Sequence, residues 1–109
     1  MEFNEMNKII RDGLVAVLYS PGFGAGWSTW NVNFPQCLFD PEVVRMIEKE
    51  DSAYDIESFT ESKYGEDFYG GGAEDLRILW LAEGTEFIVN EYDGSESIHI
   101  KENMNWIKA

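Results

Sequence analysis

Cysteine is nearly missing from this chain: Cys37 is the only one in 109 residues. No intramolecular disulfide can form, and a cysteine-based zinc site cannot be assembled. Cations are scarce as well, with 8 Lys and Arg against 21 Asp and Glu, a formal charge of −13. No segment concentrates them, so the surface repels nucleic-acid phosphates and anionic lipid headgroups. Direct nucleic-acid binding and membrane association are therefore not expected. Long apolar runs are absent too. The longest, Leu14 to Tyr19, falls far short of a membrane span. The first residues carry Glu2 and Glu5, where a signal peptide would carry basic residues followed by an apolar run. The expected setting is cytoplasmic.

What is present suffices for a packed interior. Hydrophobic residues make up 44% and aromatics 15%, and high charge gives disorder only when hydrophobicity is also low. The length is near the commonest size of one domain, so 1–109 reads as a single domain.

Along the chain, Phe3, Met6 and Ile10 recur at helical spacing with Ile9 beside them, which predicts a helix over 2–12 ended by Gly13. Leu14 to Tyr19 is apolar on both parities and fits a central strand covered on both faces. The alternating glycines Gly22, Gly24 and Gly26 mark a loop over 20–31. Asp40 is a good N-cap, Pro41 suits the first helical position, and Val43, Met46 and Ile47 then share a face. The acidic and aromatic stretch that follows predicts a helix over about 53–62, with Gly70-Gly71-Gly72 as its breaker.

The last third reads as a three-stranded antiparallel meander. Asp93-Gly94 signals a type I′ turn, which sets Val89 opposite Ile98 and Phe87 opposite Ile100. A turn at Glu83-Gly84 would set Trp80 opposite Phe87 and Ile78 opposite Val89. One face would then be wholly apolar. In that register Glu91 lies opposite Glu96, a like-charge pair that costs stability unless a cation or basic partner sits nearby. The expected class is α+β: this meander, an N-terminal strand, and two or three short helices.

The glycine loop is the most distinctive feature. Its glycines permit close backbone approach, and Phe23, Trp27 and Trp30 offer flat apolar surface, so a planar ligand could stack there with its polar edge on backbone amides. The candidate ligand-binding residues are Phe23, Gly24, Gly26, Trp27 and Trp30. The alternative is a tight loop whose tryptophans cover the core. Neither nucleotide-loop pattern fits: Trp27 stands where a dinucleotide fingerprint needs its third glycine, and no Gly-Lys-Ser/Thr follows. The acidic stretch lacks the calcium-loop pattern of spaced acids, central glycine and terminal Glu. His99, the lone histidine, has neither a nucleophile elbow nor a cysteine-protease signature to work with. No catalytic residue, metal ligand or cofactor is expected, and the chain reads as a non-enzyme.

The run Val15-Ala16-Val17-Leu18-Tyr19-Ser20-Pro21-Gly22-Phe23-Gly24-Ala25-Gly26-Trp27, with Leu38-Phe39-Asp40 and Glu91-Tyr92-Asp93-Gly94, resembles short uncharacterised proteins of bacteriophage and bacterial genomes. The likeness spans about half the chain and contains no catalytic motif. It implies a setting of virus–bacterium conflict, in which small acidic proteins act as inhibitors of host factors. Two functions follow as expectations. One is an inhibitor or modulator that docks its acidic surface on a basic host protein, a nucleic-acid-handling one above all. The other is a binder of a small, nucleotide-like signal at the glycine loop. The loop and the mixed outer face of the sheet also offer surface for a homodimer.

Overall fold

The computed structural model describes residues 8–101. Five strands and two helices follow one another as β1 (Ile10–Arg11), β2 (Leu14–Tyr19), α1 (Pro41–Glu48), α2 (Ala53–Tyr64), β3 (Arg77–Ala82), β4 (Phe87–Tyr92) and β5 (Ser95–Ile100), with short 3-10 turns at Ser28–Trp30, Pro35–Phe39 and Gly71–Asp75. The α+β class is as expected. No helix among the described residues is long and apolar enough to cross a membrane.

The strands form two antiparallel sheets, β1-β2-β3 and β4-β5. Strand β2 is central, and Val15 to Leu18 are all buried, as its doubly apolar pattern requires. Ala16 and Leu18 belong to the main core with Trp27, Cys37, Val43, Val44, Ile56 and Phe68. On the other face, Val15, Val17 and Leu81 meet Phe39 and Phe87 around a small cavity of about 70 Å³.

Two expectations are corrected. The described part of the 2–12 stretch contains no helix: Ile10 pairs with Val15 and Arg11 with Leu14 in a hairpin, while residues 2–7 lie outside the described residues. Asp12 and Gly13 both take positive φ, 52° and 76°, so this Asp-Gly makes the same type I′ turn as Asp93 and Gly94 at 49° and 86°. A strand there also covers one edge of β2, and Ile9 O accepts the Ala16 N–H at 3.0 Å.

The meander is likewise not formed. Trp80 pairs with Ala16 and Ile78 with Leu18, so β3 lies beside β2 rather than β4. The Glu83-Gly84 turn does occur, closed by Thr85 N–H to Ala82 O at 3.0 Å, but the Glu83 N–H bonds Gly13 O at 2.9 Å and carries the β2–β3 ladder past its end. The physical reason is burial. Strand β2 is apolar on both faces and takes the other strand of that character, Ile78-Leu79-Trp80-Leu81, as its neighbour. The β4–β5 hairpin keeps the expected register, Phe87 with Ile100 and Val89 with Ile98, and has only one apolar face to cover.

Both helices are capped by side chains. Asp40 Oδ1 accepts the Glu42 and Val43 N–H groups at 2.9 and 3.2 Å, and Ser52 Oγ accepts that of Asp55 at 3.1 Å. Asp40 Oδ2 faces α2, where it accepts Lys63 Nζ at 2.9 Å and the Tyr64 hydroxyl. One buried carboxylate thus caps α1 and ties α2 to it.

Candidate functional site

The glycine loop is held from beneath by a residue that the sequence marks only as half of a like-charge pair. Glu96 is 2% exposed. Its Oε1 accepts the Ser20 N–H at 2.8 Å, and its Oε2 accepts the Trp27 N–H at 2.8 Å, the Thr29 N–H at 3.0 Å and the Thr29 hydroxyl at 2.6 Å. Its own N–H donates to Ser20 O at 2.8 Å. A carboxylate can leave water only when its lone pairs find donors, and the turns of the loop aim four at this one.

Glu91 and Glu96 do face each other across the hairpin, but no cation among the described residues joins them. Glu96 is satisfied by the loop as above, and Glu91 Oε2 accepts the Gly94 N–H at 2.7 Å and the Trp30 indole N–H at 3.2 Å. Backbone, hydroxyl and indole donors offset the like-charge cost of the pair. The signal in the sequence was the unexplained like-charge register itself.

Further bonds press the hairpin tip onto the loop. Gly24 N–H donates to Asp93 O at 2.7 Å, and Ser95 Oγ donates to Pro21 O at 2.6 Å. Gly94 packs backbone against backbone, leaving no room for a Cβ over Gly24 and Ala25, and Gly72 does the same over Gly26. On the other side Asn31 acts as a clamp. Its Nδ2 donates to Trp27 O at 2.7 Å and Tyr69 O at 2.9 Å, and its Oδ1 accepts the Tyr69 N–H at 2.8 Å.

The five candidate residues separate by exposure. Trp27 is 0% exposed; its indole donates to Cys37 O at 3.0 Å and its ring meets Phe68 edge-on at 5.2 Å. Gly26 is buried beside Thr29, Trp30 and Glu96. Gly24 is exposed, with its amide engaged. Phe23 is 75% exposed and Trp30 41%, and the Trp30 ring lies 5.5 Å from that of Tyr69, tilted by 35°. Trp27 therefore covers the core, whereas Phe23 and Trp30, with Tyr69 added, present surface.

Other reactive groups stand apart. Cys37 is buried, and burial above all, then Glu96 and Asp40, pushes its thiol well above the ordinary range. His99 is exposed on the outer face of β5, with its Nε2 3.0 Å from Ser97 Oγ. Among the described residues no group of three or more His, Cys, Asp or Glu is placed to hold a metal ion. A shallow groove of about 380 Å³ runs between the helices, lined by Glu42, Arg45, Met46, Lys49, Asp51 and Phe59. No family model, no curated protein and no solved structure matches this chain.

Proposed function

We propose that this chain is a non-enzymatic binding protein that docks an acidic surface on a basic partner protein, as a phage-type inhibitor or modulator of a nucleic-acid-handling host factor. The observation that carries the reading is an uncompensated acidic flank. Glu57, Glu61, Glu66, Asp67, Glu74 and Asp75 are exposed, and none of them makes an ion pair among the described residues. They belong to α2 and the segment packed against it, where Gly70 sits on Glu57 and Thr60. Like charges held on a rigid frame repel one another until a partner of opposite sign arrives, and they steer its approach.

The small-ligand reading draws support from the exposed rings of Phe23 and Trp30. It is the weaker of the two, because the amides of Gly24, Trp27 and Thr29 already have acceptors within the chain. Recovery of a partner from bacterial lysate at low salt, followed by titration of the purified pair over rising salt, tests the first reading. Affinity should fall steeply, since exposed charges are screened over about 10 Å at 0.1 M ionic strength. Affinity indifferent to salt for every recovered partner would overturn it.

A further inference from the structure

Arg11 shows how this molecule binds a guanidinium. The group lies over the Trp80 ring, 5.4 Å from its centroid, while its two terminal nitrogens reach the Glu48 carboxylate at 2.5 and 2.9 Å. A tryptophan face and a carboxylate together hold one arginine.

At the edge of the glycine loop the same two components stand with no cation from the described residues. Trp30 and Tyr69 form a tilted pair, 41% and 49% exposed. The Trp30 indole donates to Glu91 Oε2, which also takes the Gly94 N–H. Glu91 Oε1 receives no donor among the described residues, and no Lys or Arg there pairs with this carboxylate. An indole N–H bonded to a carboxylate gains electron density in its ring, which deepens the negative potential of the face that attracts cations. The backbone is rigid here: Asn31 clamps Tyr69 to Trp27, and Gly94 is seated on Ala25. The Trp30 ring is held in place by its indole bond to Glu91.

We propose that Trp30, Tyr69 and Glu91 form a docking surface for an arginine side chain of a basic partner protein, its guanidinium against the aromatic pair and its fork on Glu91 Oε1. This rests on the protein-docking reading above and names its anchor. Arginine is favoured over lysine because a planar guanidinium can stack on a ring and bond a carboxylate at once, whereas an ammonium is a compact, strongly hydrated point charge. An aromatic and carboxylate anchor set in an acidic surround matches the usual pattern of interface hot spots, in which a few buried contacts carry the affinity.

The test uses fluorescently labelled nona-arginine and nona-lysine peptides, titrated at low salt against the full chain. The wild type should bind nona-arginine more tightly. Tyr69→Ala should weaken nona-arginine about fivefold and erase the preference, Tyr69→Phe should retain it, and Glu83→Gln, a remote charge change, should leave the preference intact. In the wild type, the Trp30 indole N–H resonance should shift as nona-arginine is added while that of buried Trp27 does not, a readout that stands even if Tyr69→Ala fails to fold. Equal affinity for both peptides, or a Trp30 signal that stays still during binding, overturns the arginine site and leaves the acidic docking reading standing. No binding of either peptide at low salt overturns both.

Discussion

Glu96 and Trp27 stand 69 positions apart in the chain and meet in a buried hydrogen bond of 2.8 Å, from the Trp27 N–H to the Glu96 carboxylate. Through it and its companions the C-terminal hairpin fixes the shape of the N-terminal glycine loop. Replacing Glu96 by Ala leaves the buried Ser20 and Trp27 amides and the half-buried Thr29 amide without acceptors. Each stranded donor costs about 1–3 kcal/mol, so Glu96→Ala should lower unfolding stability by about 4 kcal/mol, a large share of the total for a domain of this size. Urea titration should show the midpoint falling with little change in slope. A loss below about 1 kcal/mol would mean that the amides find other acceptors.

Gly94 and Gly13 provide a paired test of backbone packing. Both have positive φ, 86° and 76°. A Cβ at Gly94 would stand 2.7 Å from the Gly24 carbonyl carbon and 2.9 Å from Ala25 Cα, whereas one at Gly13 would meet nothing within 4 Å. Gly13→Ala should therefore cost about 1 kcal/mol, the conformational penalty alone. Gly94→Ala should cost about 2–4 kcal/mol, because strain and collision add. Thermal melts of the two variants should differ accordingly, and equal losses would show that the hairpin tip does not rest on the loop as described.

Tyr64 should resist ionisation. Its phenol is pushed above the usual tyrosine range, first by burial and then by its hydrogen bond to Asp40. A raised folded value means that the native state holds this proton more tightly than the unfolded chain does. The associated stability is complete below the unfolded value of about 10 and is lost as pH climbs above it. Absorbance titration of the folded protein should leave Tyr64 protonated until alkaline unfolding. Tyr64→Phe should remove that late step and cost about 1 kcal/mol near neutral pH through the lost bond.

The Cys37 thiol should be inert in the native state. It is buried, and the low polarity of the core together with Glu96 and Asp40 disfavours the thiolate. A disulfide reagent at pH 8 should label it only at the rate of unfolding, and at once in strong denaturant. Rapid labelling of the folded chain would contradict the packing of Trp27 over the Pro35–Phe39 turn.

How much of this was legible depends on the range of each signal. The caps and turns were readable because they are local. Asp40 before Pro41 needs only the first turn of α1, and Asp93-Gly94 needs only its two flanking strands. Asp12-Gly13 is the same dipeptide, but beside the helical spacing of Phe3, Met6 and Ile10 its glycine reads equally as the end of a helix; the described residues 10 and 11 form a strand. At 83–84 the turn was correct and its consequence was not, because a turn reverses the chain without choosing the strand's partner. The site residues show the same division. Trp27 and Trp30 stand three apart with similar neighbours, yet one is sealed in the core and the other half-open beside Tyr69, a residue that no motif placed near the loop.

Composition and local pattern alone determined the acidic character, the α+β class, the central apolar strand, both helix starts and the C-terminal hairpin register. Each follows from forces acting within a few residues or from a sum over the chain. Only the tertiary structure decided that β3 lies against β2, that Glu96 fills the glycine loop, and that Asp40 answers both Lys63 and Tyr64. Those choices depend on which buried polar groups find partners and which apolar faces find cover, and both are properties of residues brought together from distant parts of the chain.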